Sequence, residues 1–178
     1  MKRIIDQQQE RCIGCRACEV HCKTHHDLGP GPRLCEIVDV GPVLVDGFPR
    51  VHFAFMTCRH CDDAPCVLAC PTGALTQREM DGIVTLRASR CIGCSACMIA
   101  CPWGVPQWDA THRKVVKCDH CVDRLDRGLE PACVTGCTTG ALRLIDLHEV
   151  ARRKRRDEAE KQAARTFGPG IEVNLGAS

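Results

Sequence analysis

The chain has 178 residues, of which 17 are cysteine, four phenylalanine, two tryptophan and none tyrosine. With the cysteines set aside, the apolar share falls from 44% to roughly a third, which excludes a core built on aromatic and aliphatic packing alone. The formal charge of +2 excludes a strongly basic nucleic-acid footprint, and apolar runs as short as 43–45 and 98–100 exclude a membrane-spanning helix, which needs about 20 residues.

Residues 1–11 hold no apolar run long enough for a leader and no twin-arginine stretch, so the sequence predicts a cytoplasmic protein. In a reducing compartment, dense cysteine predicts metal ligation rather than disulfides. The first block, Cys12-Ile-Gly-Cys15-Arg-Ala-Cys18-Glu-Val-His-Cys22, has the spacing C-x2-C-x2-C-x3-C. Segment 23–57 carries Pro30, Pro32, Pro42 and Pro49 and predicts a connecting excursion over the surface, with strand composition at 51–55. The second block, Cys58, Cys61, Cys66 and Cys70 before Pro71, is C-x2-C-x4-C-x3-C-P. The phrase Thr72-Gly-Ala-Leu75 then predicts the exit from a short helix into a strand, and Asp81-Gly82 a turn before a strand at 83–86.

The third block, Cys91-Ile-Gly-Cys94-Ser-Ala-Cys97-Met-Ile-Ala-Cys101-Pro102, repeats the first almost word for word, which is an internal duplication. A short strand is predicted at 115–116. The fourth block follows at Cys118, Cys121, Cys133 and Cys137, then Thr139-Gly-Ala-Leu142 and a strand at 142–145. From Asp146 the pattern changes. Asp146-Leu-His-Glu149 reads as a capping-box-like start to a polar helix over 150–166, with Glu149 and Arg153 as an i,i+4 pair. Gly168-Pro169-Gly170 stops the helix, and 171–175 alternates like an edge strand.

Thiols at i, i+3 and i+6 cannot share one side of a regular helix, but a loop curled around a ligand brings them to three corners of a cube. In spacings of this kind the fourth cysteine of a run serves the neighbouring cluster, so clusters are expected in pairs interlocked by crossing cysteines. Zinc is the alternative, because two C-x2-C pairs make a ribbon site. Four thiols within eleven residues, with Cys-Pro after two of the blocks, argue for iron and sulfide. Each four-iron centre with four thiolates carries −2, so four of them take the net charge from +2 to about −6.

Cys35 is the seventeenth cysteine and is expected to be a small buried hydrophobe. His21, His25, His26, His60 and His120 stand beside ligands and are read as hydrogen-bonding neighbours or surface. Trp103 and Trp108 are expected to pack beside the third block. The run Arg152 to Arg156 reads as a solvated charged face or a docking surface. No Rossmann glycine fingerprint, P-loop, haem-attachment motif or H-E-x-x-H occurs, so nothing catalytic is expected.

The blocks in this order, with Cys91-Ile-Gly-Cys94 running through Cys101-Pro-Trp-Gly-Val-Pro-Gln107 to Lys117-Cys118-Asp-His-Cys121-Val-Asp-Arg124, resemble the four-cluster electron-transfer subunits of the dimethyl sulfoxide reductase, formate dehydrogenase and nitrate reductase group. Polyferredoxin subunits of tungsten aldehyde oxidoreductases and of carbon monoxide dehydrogenase are similar. The resemblance covers residues 4–146. Thr138 stands where many relatives have proline, and the arginine-rich tail is not shared.

The resemblance implies four [4Fe-4S] clusters. The first would be held by Cys12, Cys15, Cys18 and Cys137, the second by Cys118, Cys121, Cys133 and Cys22. The third would be held by Cys58, Cys61, Cys66 and Cys101, and the fourth by Cys91, Cys94, Cys97 and Cys70. It implies an α+β fold of two nested ferredoxin-like halves: 1–22 with 102–146 as one, 58–101 as the other, 23–57 as the connection, and 147–178 as a charged helix and tail. The implied role is a non-catalytic relay between a molybdenum or tungsten pterin subunit, acting on an aldehyde or formate, and a flavin, NAD-linked or ferredoxin acceptor. The alternatives are a free-standing polyferredoxin, a partner of carbon monoxide dehydrogenase and, remotely, a zinc-binding interaction module. The tail is expected to dock on a partner or on a second copy of the chain.

Overall fold

The structure is a computed structural model and describes residues 2–168. It is a small mixed fold of short helices and two-stranded antiparallel ladders, with no closed barrel among the described residues. Strand β1 (Arg3–Gln7) pairs with β8 (Leu142–Asp146), placing Ile4 opposite Ile145 and Ile5 opposite Leu144. Such cross-strand aliphatic pairs stabilise a ladder. This pairing carries the first cysteine block to the last, so that α1 (Ala17–His25) packs on α5 (Ala132–Thr135). The approach is close enough that a Cβ on Gly136 would sit 2.2 Å from the His21 ring, so only glycine fits there.

The middle of the chain builds a second such unit. Helix α2 (Pro65–Leu68) packs on α3 (Ala96–Ala100), and β4 (Leu75–Gln77) pairs with β5 (Val84–Leu86). The duplication in the sequence is also present in the backbone. Gly14 and Gly93 have φ of 66° and 71°, and Arg16 and Ser95, just before α1 and α3, have φ of 59° and 61°. The left-handed turns curl both C-x2-C-x2-C loops before the helix starts, which is why the third cysteine of each run lies in the first helical turn. Phe53 covers the Gly14 loop, where a Cβ would lie 2.5 Å from its ring, and Trp108 covers the Gly93 loop at 3.2 Å.

Two cores follow. One contains Cys18, Cys22, Leu34, Cys35, Ile37, Cys118, Cys133 and Leu142, and the other Ala64, Cys66, Leu75, Val84, Cys97 and Val115. Val115 lies on β7 (Lys114–Val116), which forms a hairpin with β6 (Gln107–Asp109), inside the stretch 102–146 expected to belong to the first half. It packs instead with the second core, because Cys101 delivers the chain next to α3 and the hairpin folds back over the third block.

The connection 23–57 is more ordered than its proline content suggests. It holds a long hairpin of β2 (Cys35–Val45) and β3 (Phe48–Thr57), with a register shift between Val40 and Val43 where Gly41-Pro42 intervenes. A two-stranded ribbon tolerates such a break, since a proline can turn its missing N–H outward. The hairpin base is fixed by Ile37 N–H donating to Glu19 at 2.8 Å and by Phe55 N–H donating to Gln7 at 2.8 Å. Its far end exposes Val43, Leu44, Val45 and Phe48.

After α4 (Val122–Leu125), α5 and β8, the last described element is α6 (Leu147–Phe167). Its N-cap is Asp146, whose carboxylate accepts from Glu149 N–H at 2.8 Å, as the capping-box reading expected. No residue of α6 is buried. The expected Glu149–Arg153 pair is replaced: Glu149 binds Arg152 at 2.7 Å, while Arg153 reaches across to Asp6 on β1, with one contact at 2.8 Å. The strand expected at 171–175 lies outside the described residues.

Candidate metal centres

Cys91, Cys94 and Cys97 of the third block meet Cys70 of the second around a small apolar pocket walled by Leu75, Leu86 and Val115. Burial pushes the Cys97 thiol up, and Cys70, Cys91 and Cys94 add repulsion between thiolates. For Cys70, burial is outweighed by the backbone N–H of Leu75 and by Thr72, so its thiol is held below the ordinary range. Cys66 is raised by burial and feels Cys58 and Cys101, the latter brought from the end of the third block. The Cys61 carbonyl accepts from Gln77 at 3.1 Å.

The outer blocks converge in the same way. Burial raises the Cys118 thiol strongly and the Cys121 thiol to about 12, and Cys121 feels both Cys133 and Cys22. The sulfur of Cys121 also accepts from Ala132 N–H at 3.5 Å and lies 3.4 Å from His26 Nε2. Cys12 and Cys137 pack against the core that holds Cys18, and the Cys137 sulfur accepts from Ala141 N–H at 3.2 Å. Cys15 is exposed and lies 3.3 Å from the Thr138 hydroxyl, whose hydrogen bond lowers its thiol pKa.

Cys35 is buried, as expected, but not as an inert hydrophobe. Its S–H points to Cys18 O at 3.6 Å. The neighbouring sulfurs of Cys133, Cys18 and Cys22, together with burial, push its thiol pKa up.

Two of the histidines expected beside ligands, and one lysine that the sequence did not single out, are buried at the site. His60 and His120 are both 2% exposed, with ring centroids 4.0 Å apart, rather than lying at the surface. Burial keeps both imidazoles neutral, holding His120 down at about 4 and His60 lower still. Lys117 is 6% exposed and donates to Val84 O at 2.6 Å and to Cys118 O. The repeated phrase Cys-x-His-Cys at Cys58 and Cys118 was the available sign for the histidines; for Lys117 there was none.

Buried thiols in sets of this kind cannot all ionise without a cation among them, and iron supplies that positive charge. Four cysteines from two different blocks lining one apolar-walled pocket fit a four-iron centre. Among the described residues, no helix is long and apolar enough to cross a membrane.

Comparison with known proteins agrees with this donor chemistry. The 4Fe-4S dicluster domain family matches residues 50–147. The thiosulfate reductase electron transfer subunit PhsB of Salmonella typhi is 40% identical over 164 residues, 89% of this chain and 84% of that one. One subunit of the anaerobic dimethyl sulfoxide reductase of Escherichia coli K12 is 38% identical over 150 residues, 80% of this chain and 73% of its own length. The ferredoxin-like protein YdhX of Escherichia coli O157:H7 is 41% identical over 136 residues, covering 75% of this chain and 60% of its own. A donor set built for iron and sulfide, in a chain most of whose length these proteins share, places it in the 4Fe-4S dicluster family as an iron–sulfur electron-transfer subunit of an oxidoreductase complex, not its catalytic subunit.

Proposed function

We propose that the chain relays single electrons through four [4Fe-4S] clusters, held as the crossing scheme assigns them. They are Cys12, Cys15, Cys18 with Cys137; Cys118, Cys121, Cys133 with Cys22; Cys58, Cys61, Cys66 with Cys101; and Cys91, Cys94, Cys97 with Cys70. The observation that carries this reading is the cavity shared by Cys70 and the third block, because a local scheme would leave Cys70 with Cys58, Cys61 and Cys66. The proximity of Cys66 to Cys101 and of Cys121 to Cys22 supports it in the other direction. The division into nested halves follows from the same crossings, with the 102–116 stretch lying between the two cores: Val115 packs in the second, Val105 and Val116 with the first.

The catalytic partner in this reading is a molybdenum or tungsten pterin subunit. The names of the relatives, a thiosulfate reductase subunit and a dimethyl sulfoxide reductase subunit, favour reduction of a small sulfur compound over the aldehyde or formate expected from the sequence. Electrons then run toward the pterin from a flavin, NAD-linked or ferredoxin donor. The half containing the first and fourth blocks faces the partner, with the apolar end of the β2–β3 hairpin beside it.

Cys70→Ser tests the scheme. The electron paramagnetic resonance signal that changes should be that of the cluster held by Cys91, Cys94 and Cys97. A change confined to the cluster of Cys58, Cys61 and Cys66 means the pairing is local and the nested architecture is wrong.

A further inference from the structure

The two halves meet at a buried polar junction of His60, His120 and Lys117, residues outside the ligand set proposed above. Cys118 of the fourth block lies close enough to Cys58 of the second for their charges to interact. His60 and His120 each follow one of these cysteines by two residues, and their N–H groups donate to Cys58 Sγ at 3.4 Å and Cys118 Sγ at 3.5 Å. Lys117 sits beside both rings, and Cys66 and Cys118 feel its charge.

A buried ammonium is costly unless an opposite charge accompanies it. Among the described residues, no carboxylate lies within ion-pair distance of Lys117, whose acceptors are the carbonyls of Val84 and Cys118. His60 shows the same deficit. His60 Nδ1 accepts from Val84 N–H at 2.9 Å, so the ring proton is on Nε2, which is buried with no acceptor, while the buried His120 ring has the Cys58 carbonyl as its one nearby backbone acceptor. Ring nitrogens of both lie within 4.8 Å of the Cys118 sulfur. A cation without an anion and the His60 N–H without an acceptor, packed around thiols from both halves, imply that negative sulfur completes them.

We propose that Lys117, with His60 and His120, forms a positively charged station between the Cys118 and Cys58 centres that raises their reduction potentials and lets an electron rest midway between the halves. This rests on the ligand scheme proposed above. When bound, the two centres would exchange single electrons across the junction, with the Lys117 ammonium held beside them by the carbonyls of Val84 and Cys118. The reduced centre carries one more negative charge than the oxidised one, and a fixed cation therefore favours it.

The test uses the cluster-loaded full-length protein as wild type, Lys117→Gln and Lys117→Arg, with iron, sulfide and zinc measured before potentiometric titration followed by electron paramagnetic resonance. Gln keeps N–H donors for the two carbonyls without the charge, and Arg keeps the charge. Wild type should hold about sixteen irons; a lower count refutes the ligand scheme itself, independently of the junction. With full loading, Lys117→Gln should disfavour reduction of the junction centres at least tenfold, which is 59 mV for one electron, and Lys117→Arg should not. A shift below tenfold in Lys117→Gln, an equal shift in both variants, or stoichiometric zinc retained beside full iron loading overturns the proposal. Should Lys117→Gln lose clusters that Lys117→Arg keeps, the charge is required for assembly and the proposal stands; equal loss in both variants makes Lys117 a packing residue and overturns it.

Discussion

Thr138 shows how one side chain can set the behaviour of a centre. Its hydroxyl lies 3.3 Å from the Cys15 sulfur, at the exposed edge of the first block. A hydrogen bond to a thiolate ligand favours the reduced, more negative state, so Thr138→Val should lower the potential of the cluster that Cys15 serves and leave the other three unchanged. An unaltered potential in redox titration would mean that water replaces the hydroxyl at no cost. Cys35 and Lys117 mark what the sequence could not convey at this scale. The ligands were legible because cluster chemistry imposes their spacing, whereas a thiol that only donates and a lysine between Val116 and Cys118 belong to no pattern. Their meaning comes from burial and from neighbours distant in the chain.

The individual elements divide along the same line. The strands at 83–86, 115–116 and 142–145 were legible from β-branched and leucine-rich composition next to turn residues, and the paired Thr-Gly-Ala-Leu phrases lead into β4 and β8 as expected. The length of the β2–β3 hairpin was hidden by Gly41-Pro42, which locally reads as a turn but lies within a ribbon held by pairing on both sides of it. Helix α6 was legible from its cap, but its attachment was not, because Arg153 and Asp6 are separated by nearly the whole chain. Asp146 is held below the usual carboxylate range by the Glu149 N–H it accepts, so the cap is fully formed at neutral pH and is lost only as pH falls through that lowered value. With no buried residue, α6 contributes little to its own domain. Truncation after Asp146 should therefore leave cluster content intact while weakening recovery of the catalytic partner, with the full-length interaction falling as salt rises. Equal recovery with and without the tail at every salt concentration would make it a solvated appendage.

For the whole molecule, cysteine replaces aromatic packing. Both cores are built around thiols, and the aliphatic residues between them, such as Leu75, Val84 and Val115, form thin walls rather than a continuous interior. A chain arranged in this way depends on its inorganic centres for cohesion, and metal affinity becomes folding free energy. Iron removal should accordingly abolish cooperative unfolding rather than merely lower its midpoint. The central claim is that all four blocks are filled with iron and sulfide and that the centres are close enough to pass electrons. It is tested most directly by Mössbauer spectroscopy and metal analysis of anaerobically purified, iron-57-labelled protein. About sixteen irons per chain, all in [4Fe-4S] centres that interact magnetically when reduced, are predicted; about four zinc ions and no iron, or half the predicted iron in isolated centres, would contradict the account.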